Sequence, residues 1–120
     1  MDTNPVIDFF NGSLPISGKN FIAEIEPAIS VISYIELFSN KNIPKLELNQ
    51  LLDFVQIAVI HDLNKEIVEQ TIILRQNFKI KTPDAIVAAT GLVHNRKLIT
   101  RNISDFKNIP GLIIIDPYNL

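Results

Sequence analysis

The stretch "AISVISYIELFSN", residues 28–40, decides the fold. Its first half, Ala28 to Ser33, is a short run rich in β-branched residues. It has the length and composition of a buried strand rather than of a helix. No glycine or proline separates it from "YIELFSN", which reads as a helix beginning near Ser33. A buried strand passing directly into a helix is the unit from which parallel sheets covered by helices are built.

The same alternation extends in both directions. Upstream, "PVIDFFNG" (5–12) reads as a short helix capped by Asn4, with Pro5 in the first helical position and Gly12 ending it. A second helix follows over 18–27 and stops at Pro27. Downstream, the leucines of 44–54 mark a helix packed on one side, and "VQIAVIH" (55–61) reads as the next strand. Asp62 or Asn64 then caps a long helix whose stripe is Ile67, Thr71, Leu74 and Phe78. A small-residue helix opens at Pro83 and Asp84. It is followed by a strand at 97–101, a short turn or helix over "NISDFKN", and a last strand at 112–116. The expected fold class is α/β: three layers, α/β/α, around a mostly parallel central sheet, in a single domain spanning 1–120.

Composition narrows the chemistry. The chain has 120 residues, no cysteine and a formal net charge of −2, so disulfides, thiolate metal sites and cysteine nucleophiles are excluded. No basic-then-apolar leader and no apolar run of membrane-spanning length is present, so a cytoplasmic protein is expected. The charge is unevenly placed. Residues 1–70 hold 4 Lys/Arg and 10 Asp/Glu (4 − 10 = −6), and residues 71–120 hold 7 and 3 (7 − 3 = +4). The second part therefore permits a local phosphate-facing patch.

Ligand sites in open α/β sheets gather at the carboxyl ends of the strands. Four acids fall at such junctions: Asp2 before the first helix, Glu36 among Tyr34, Ile35, Leu37 and Phe38, Asp84 at a helix start, and Asp105 after the "LITRN" strand. Asp84 alone is explained by the helix dipole. Glu36 is the more telling, since an acid wedged among large apolar groups must be paired, protonated or bound to a cation. Acids converging on one edge repel one another, and a hard divalent cation relieves that repulsion.

Read in order, "DTN" (2–4), "ISVISYIEL" (29–37), "KTPDAIVAAT" (81–90) and "LITRNISDFKNIPGLIIIDP" (98–117) resemble a PIN domain of the VapC toxin type. The resemblance covers nearly the whole chain, and its last two segments are the most specific. It implies a Mg²⁺- or Mn²⁺-dependent endoribonuclease that cuts RNA, pairs with a cognate antitoxin and forms a homodimer. Carried over by position, Asp2 and Asp84 are metal ligands. Glu36 completes the cluster and orients the attacking water, while Thr3 and Asn4 support the first acid by hydrogen bonding. The family's fourth acid is replaced by Asn102, leaving Asp105 to act through water or Asn102 to coordinate weakly. The family also has several apolar residues before "DTN", forming a central strand, where only Met1 stands here. Either the start at Met1 falls late or this chain lacks that strand; in the second case the expectation is a fold that survives with a loosened centre and weakened metal affinity.

Other residues draw attention without carrying chemistry. His61 and His94 each lack a second ligand at metal spacing, Ser30, Ser33 and Ser104 lack a nucleophile turn, Gly91 marks close packing, and Tyr34 reads as core. Arg101 either holds an RNA phosphate or bridges to a nearby acid. The alternative function is a catalytically impaired PIN-like module that binds RNA or a protein partner. A phospho-acceptor receiver domain is disfavoured because its paired-acid motif is missing.

Overall fold

A computed structural model describes residues 1–120. Eleven elements follow in order: α1 (Thr3–Asn11), α2 (Ile16–Glu24), β1 (Ala28–Ser30), α3 (Val31–Leu37), α4 (Lys45–Ile57), β2 (Val59–His61), α5 (Lys65–Asn77), α6 (Thr82–Val93), β3 (Leu98–Ile99), α7 (Ile103–Phe106) and β4 (Ile114–Ile115). Both strand pairs are parallel, β1 with β2 and β3 with β4. The α/β class and the alternation are therefore as expected.

Helices cover both faces, as the strand side chains show. In β3, Leu98 packs into a cluster with α5, α6 and α7 that includes Ile67, Ala88 and Phe106. Its neighbour Ile99 points the other way, joining Leu14 and Ile22. The same split occurs in β4, with Ile114 against the first cluster and Ile115 against the second. Ile29 of β1 lies with Val6, Leu37, Leu51 and Phe54 of α1, α3 and α4. Period-two alternation feeding two helical layers is the three-layer arrangement.

The central sheet is where expectation and structure diverge. The strands form two separate two-stranded sheets, β1-β2 and β3-β4, with no strand between them. Two backbone hydrogen bonds cross the gap, both from the first two residues. The Met1 ammonium donates to the Ala28 carbonyl at 2.5 Å, and the Asp2 N–H donates to the Ile99 carbonyl at 2.9 Å. Met1–Asp2 is thus a short extended stub, hydrogen-bonded to β1 on one side and β3 on the other.

Several boundaries also move, each for a local reason. Ser30 caps α3 with its side chain, accepting from the Ser33 N–H at 3.1 Å, so the helix starts at Val31 and the strand ends three residues early. α4 runs on to Ile57, because Phe54 and Val55 continue the face begun by Leu51, and takes three residues from the expected strand at 55–61. α1 is capped by Asp2 rather than Asn4, α2 spans 16–24 rather than 18–27, and β3 and β4 are shorter than 97–101 and 112–116. Of the two candidate caps of α5, Asn64 is the one used, accepting from the Ile67 N–H at 2.9 Å. Gly91 does mark close packing: a Cβ there would sit 3.2 Å from Leu112 and 3.3 Å from the Arg96 carbonyl. No helix is long and apolar enough to cross a membrane.

Candidate active site

Asp2 is held from three sides. Its backbone N–H is fixed on Ile99, its Oδ1 accepts the Thr3 N–H at 2.9 Å, and its Oδ2 accepts the Thr100 hydroxyl at 2.9 Å. It is therefore at once the helix cap of α1 and the end of the strand stub, with its carboxylate orientation set by both.

Thr100 is fully buried, and its oxygen also accepts the Asn102 N–H at 3.0 Å. The sequence reading passed over it because a threonine closing an apolar strand looks like packing; the signal available was its place in "LITRN", directly before the substituted acid position. Thr100→Val keeps the shape but removes the bond that aims Asp2 and orphans an amide. The expected loss is about 1–2 kcal/mol of stability. Metal affinity should fall by about 10- to 100-fold, as for other groups that orient a ligand. Chemical denaturation and Mn²⁺ calorimetry on the variant read the two effects separately.

Thr3 serves two acids: its backbone N–H donates to Asp2, and its hydroxyl donates to Glu36 Oε1 at 2.6 Å, tying α1 to α3 across the site. Asn4 is exposed and makes no side-chain hydrogen bond to Asp2, so it does not hold the first acid. Glu36 is not wedged in apolar surroundings either. It stands exposed near the end of α3, with Tyr34 and Ile35 exposed beside it, because the helix turns Ser33 and Leu37 inward instead. Tyr34 is accordingly a surface residue rather than core.

Asp84 lies in the first turn of α6, half-buried, with Pro83 beside it. Its carboxyl is raised above the ordinary 3.8, first by burial and then by the charges of Asp2, Asp105 and Glu36; Lys81 partly offsets them. Asp84 therefore feels the charges of the other three acids expected at the site. Asp105 is exposed on α7, and the Asn102 amide donates to its Oδ2 at 2.6 Å. The residue in the fourth acid's place is thus coupled directly to the acid three positions on. No group of three or more Asp, Glu or His side chains stands close enough together to hold a metal ion in this structure. The acids that act on Asp84 offer oxygen donors alone, the chemistry that suits a hard divalent cation.

Arg101 takes the second of its two expected roles in this structure. Its guanidinium lies 3.9 Å from Asp8 Oδ2 and 5.7 Å from the centre of the Tyr118 ring, while the side chain stays 59% exposed. The Tyr118 hydroxyl donates to the same Asp8 carboxylate, and burial followed by that bond pushes its ionisation well up. This triad was missed from sequence because its members are far apart in the chain. His61 and His94 are not isolated: their rings stack at 3.8 Å, and Arg96 Nε donates to His61 Nε2 at 2.8 Å.

Comparison with known proteins places this geometry. The family described as PIN domain matches residues 1–112. Ribonuclease VapC1 of Rickettsia felis is 42% identical over 41 residues, which cover 34% of this chain and 31% of that protein. The chain thus aligns with about a third of the length of this curated relative. Among solved structures, a toxin-antitoxin complex from Klebsiella pneumoniae superposes with a TM-score of 0.81 at 35% identity, covering 99% of this chain and 97% of the other. VapBC2 from Rickettsia felis, bound to a DNA fragment from its promoter, gives 0.78 at 26% identity over 95% and 94%.

Proposed function

The chain belongs to the PIN domain family, and from that premise we propose that it is a VapC-type endoribonuclease toxin that hydrolyses RNA phosphodiester bonds with Mg²⁺ or Mn²⁺. The observation that carries the reading is the half-buried Asp84 carboxyl, which feels Asp2, Asp105 and Glu36 at once.

In this mechanism Asp2 and Asp84 would hold the cation, which would supply Lewis-acid activation of a water and charge neutralisation at the scissile phosphate. Thr100 and the Thr3 amide keep both Asp2 oxygens in fixed directions, so the ligand needs little reorganisation on binding. Glu36, anchored by the Thr3 hydroxyl, orients the attacking water and takes up its proton. Asp105 acts through water, steered by Asn102. Arg101, still largely exposed, and Lys81 beside Asp84 supply cations for the flanking RNA phosphates.

Two kinds of protein partner belong to this proposal: a cognate antitoxin and a second copy of the chain. Apolar side chains left in solvent support both. Tyr34 and Ile35 flank Glu36, where a bound antitoxin would cover the acids, and α5 exposes Val68, Ile72 and Ile73 for a homodimer contact. Residues 1–120 form one domain of this toxin, which acts in the cytoplasm.

A second reading, a module that binds RNA or a partner without cutting, is favoured by the open spacing of the acids and by Asn102. One experiment separates the two. Purified protein is incubated with total cellular RNA and Mn²⁺, then with EDTA. Discrete fragments that disappear on chelation support the nuclease. RNA retained intact at every Mn²⁺ concentration, yet bound in a gel-shift assay, supports the module.

A further inference from the structure

Arg101 stands between two residues that hold acids of the site. Thr100 donates its hydroxyl to Asp2, and the Asn102 amide donates to Asp105. The backbone of Arg101 is thereby fixed at the edge of the site, and its side chain reaches α1. There the guanidinium lies 3.9 Å from Asp8 Oδ2, too far for a hydrogen bond, and 5.7 Å from the centre of the Tyr118 ring. Its charge is balanced while its N–H donors stay free.

Asp8 is itself held. Tyr118 donates its hydroxyl to Oδ2, the oxygen nearest Arg101, and the Asn11 amide lies 3.5 Å from Oδ1. Only 17% of the Asp8 side chain is exposed. Asp116, the other carboxylate acting on Tyr118, is turned to the Tyr118 N–H and the Asn119 amide. A long arginine free in solvent loses rotamer freedom when it grips an anion. One already steadied by a fixed carboxylate and a ring face loses less. A phosphodiester can take the free donors in a two-pronged contact without breaking any hydrogen bond of the protein.

We propose that Asp8 and Tyr118 are positioning residues that hold the Arg101 guanidinium as a clamp for an RNA backbone phosphate beside the one that is cut. The identity of the substrate rests on the RNA-cutting function proposed above. The contact is to the backbone, so it fixes register without reading sequence. Its sign sets it apart from charge alone. Removing a carboxylate near the phosphates should by charge alone strengthen RNA binding, whereas losing a positioning group should weaken it.

The test is fluorescence anisotropy of an end-labelled single-stranded RNA of mixed sequence, titrated with the full chain in EDTA over a range of salt. Arg101→Ala should weaken binding about tenfold and lower the salt slope by about 1. Arg101→Lys should restore the slope but only part of the affinity, since it keeps the charge without the planar fork. Asp8→Asn, which can still accept from Tyr118, should weaken binding at least about threefold in the parent and not at all beside Arg101→Ala. Tyr118→Phe, which keeps the ring, should repeat that pattern and decides the matter if Asp8→Asn does not fold. Unchanged or tighter binding by Asp8→Asn overturns the proposal. So does equal weakening in both backgrounds, or a parent that does not bind the RNA. Parallel incubation with Mn²⁺ keeps the two ideas apart. Cleavage by the parent with unaltered binding by the variants sinks the clamp alone, and weakened binding without any cleavage sinks the nuclease alone.

Discussion

Asp84→Asn should abolish saturable Mn²⁺ binding in calorimetry, or weaken it by at least about 100-fold, while leaving a folded protein. Metal-dependent RNA cleavage should fall with it. The substitution removes one negative ligand but keeps the size and polarity of a residue in the first turn of α6. It should also make the metal-free protein more stable near neutral pH. Burial and the neighbouring Asp2, Asp105 and Glu36 raise the Asp84 carboxyl above 3.8, so its charged form is disfavoured in the fold. That penalty is present above the folded pKa. It disappears as pH falls through the folded pKa and then below the ordinary value, where both states hold the proton. The variant's advantage in Tm should therefore be visible at pH 7 and gone at pH 3. Saturating Mn²⁺ should reverse the order at pH 7, because binding stabilises only the parent. Identical isotherms for the two proteins would remove Asp84 from the ligand set.

What could be read from the sequence follows from where the physics is local. The small apolar run from Ala85 to Thr90 can only be a buried helix, and Asp84 at its start keeps the place expected of it. β1 was legible from the apolar run it opens, but its end was not, since the β-branched Val31 and Ile32 belong to α3. Ser30 and Ser33 look alike in sequence, and only the cap geometry shows that Ser30 starts α3. The reading of Glu36 rested on its sequence neighbours, whereas burial on a helix follows the face: Ser33 and Leu37 are inside, and Glu36 with Tyr34 and Ile35 is outside. The support of the site was the least visible. Thr100 reaches Asp2 across 98 residues of sequence, and Tyr118 reaches Asp8 across 110. Side-chain bonds of that range leave no periodic trace.

Adding a short apolar strand ahead of Met1 should raise the Tm, because its backbone pairs with both facing strand edges and its side chains fill the gap between them. A second contribution is independent of area. The Met1 ammonium is buried at the edge of the gap, and burial, with a smaller effect from Arg96, lowers its pKa from 8.0 to about 6. Between those values the unfolded chain holds more protons than the folded one, so stability is full above pH 8 and falls as pH drops towards 6. In the extended protein the same nitrogen is an amide that donates to Ala28 without a charge, so this slope between pH 6 and 8 should vanish. Urea unfolding of both proteins at pH 6, 7 and 8 measures both effects. Equal midpoints and equal slopes would show that the gap costs the fold nothing. A steeper midpoint gain at pH 6 than at pH 8 would identify the buried amine as the larger part of that cost. Because the Asp2 N–H is the other bond across the gap, a completed strand should also tighten Mn²⁺ binding, linking the centre of the sheet to the acids at its edge.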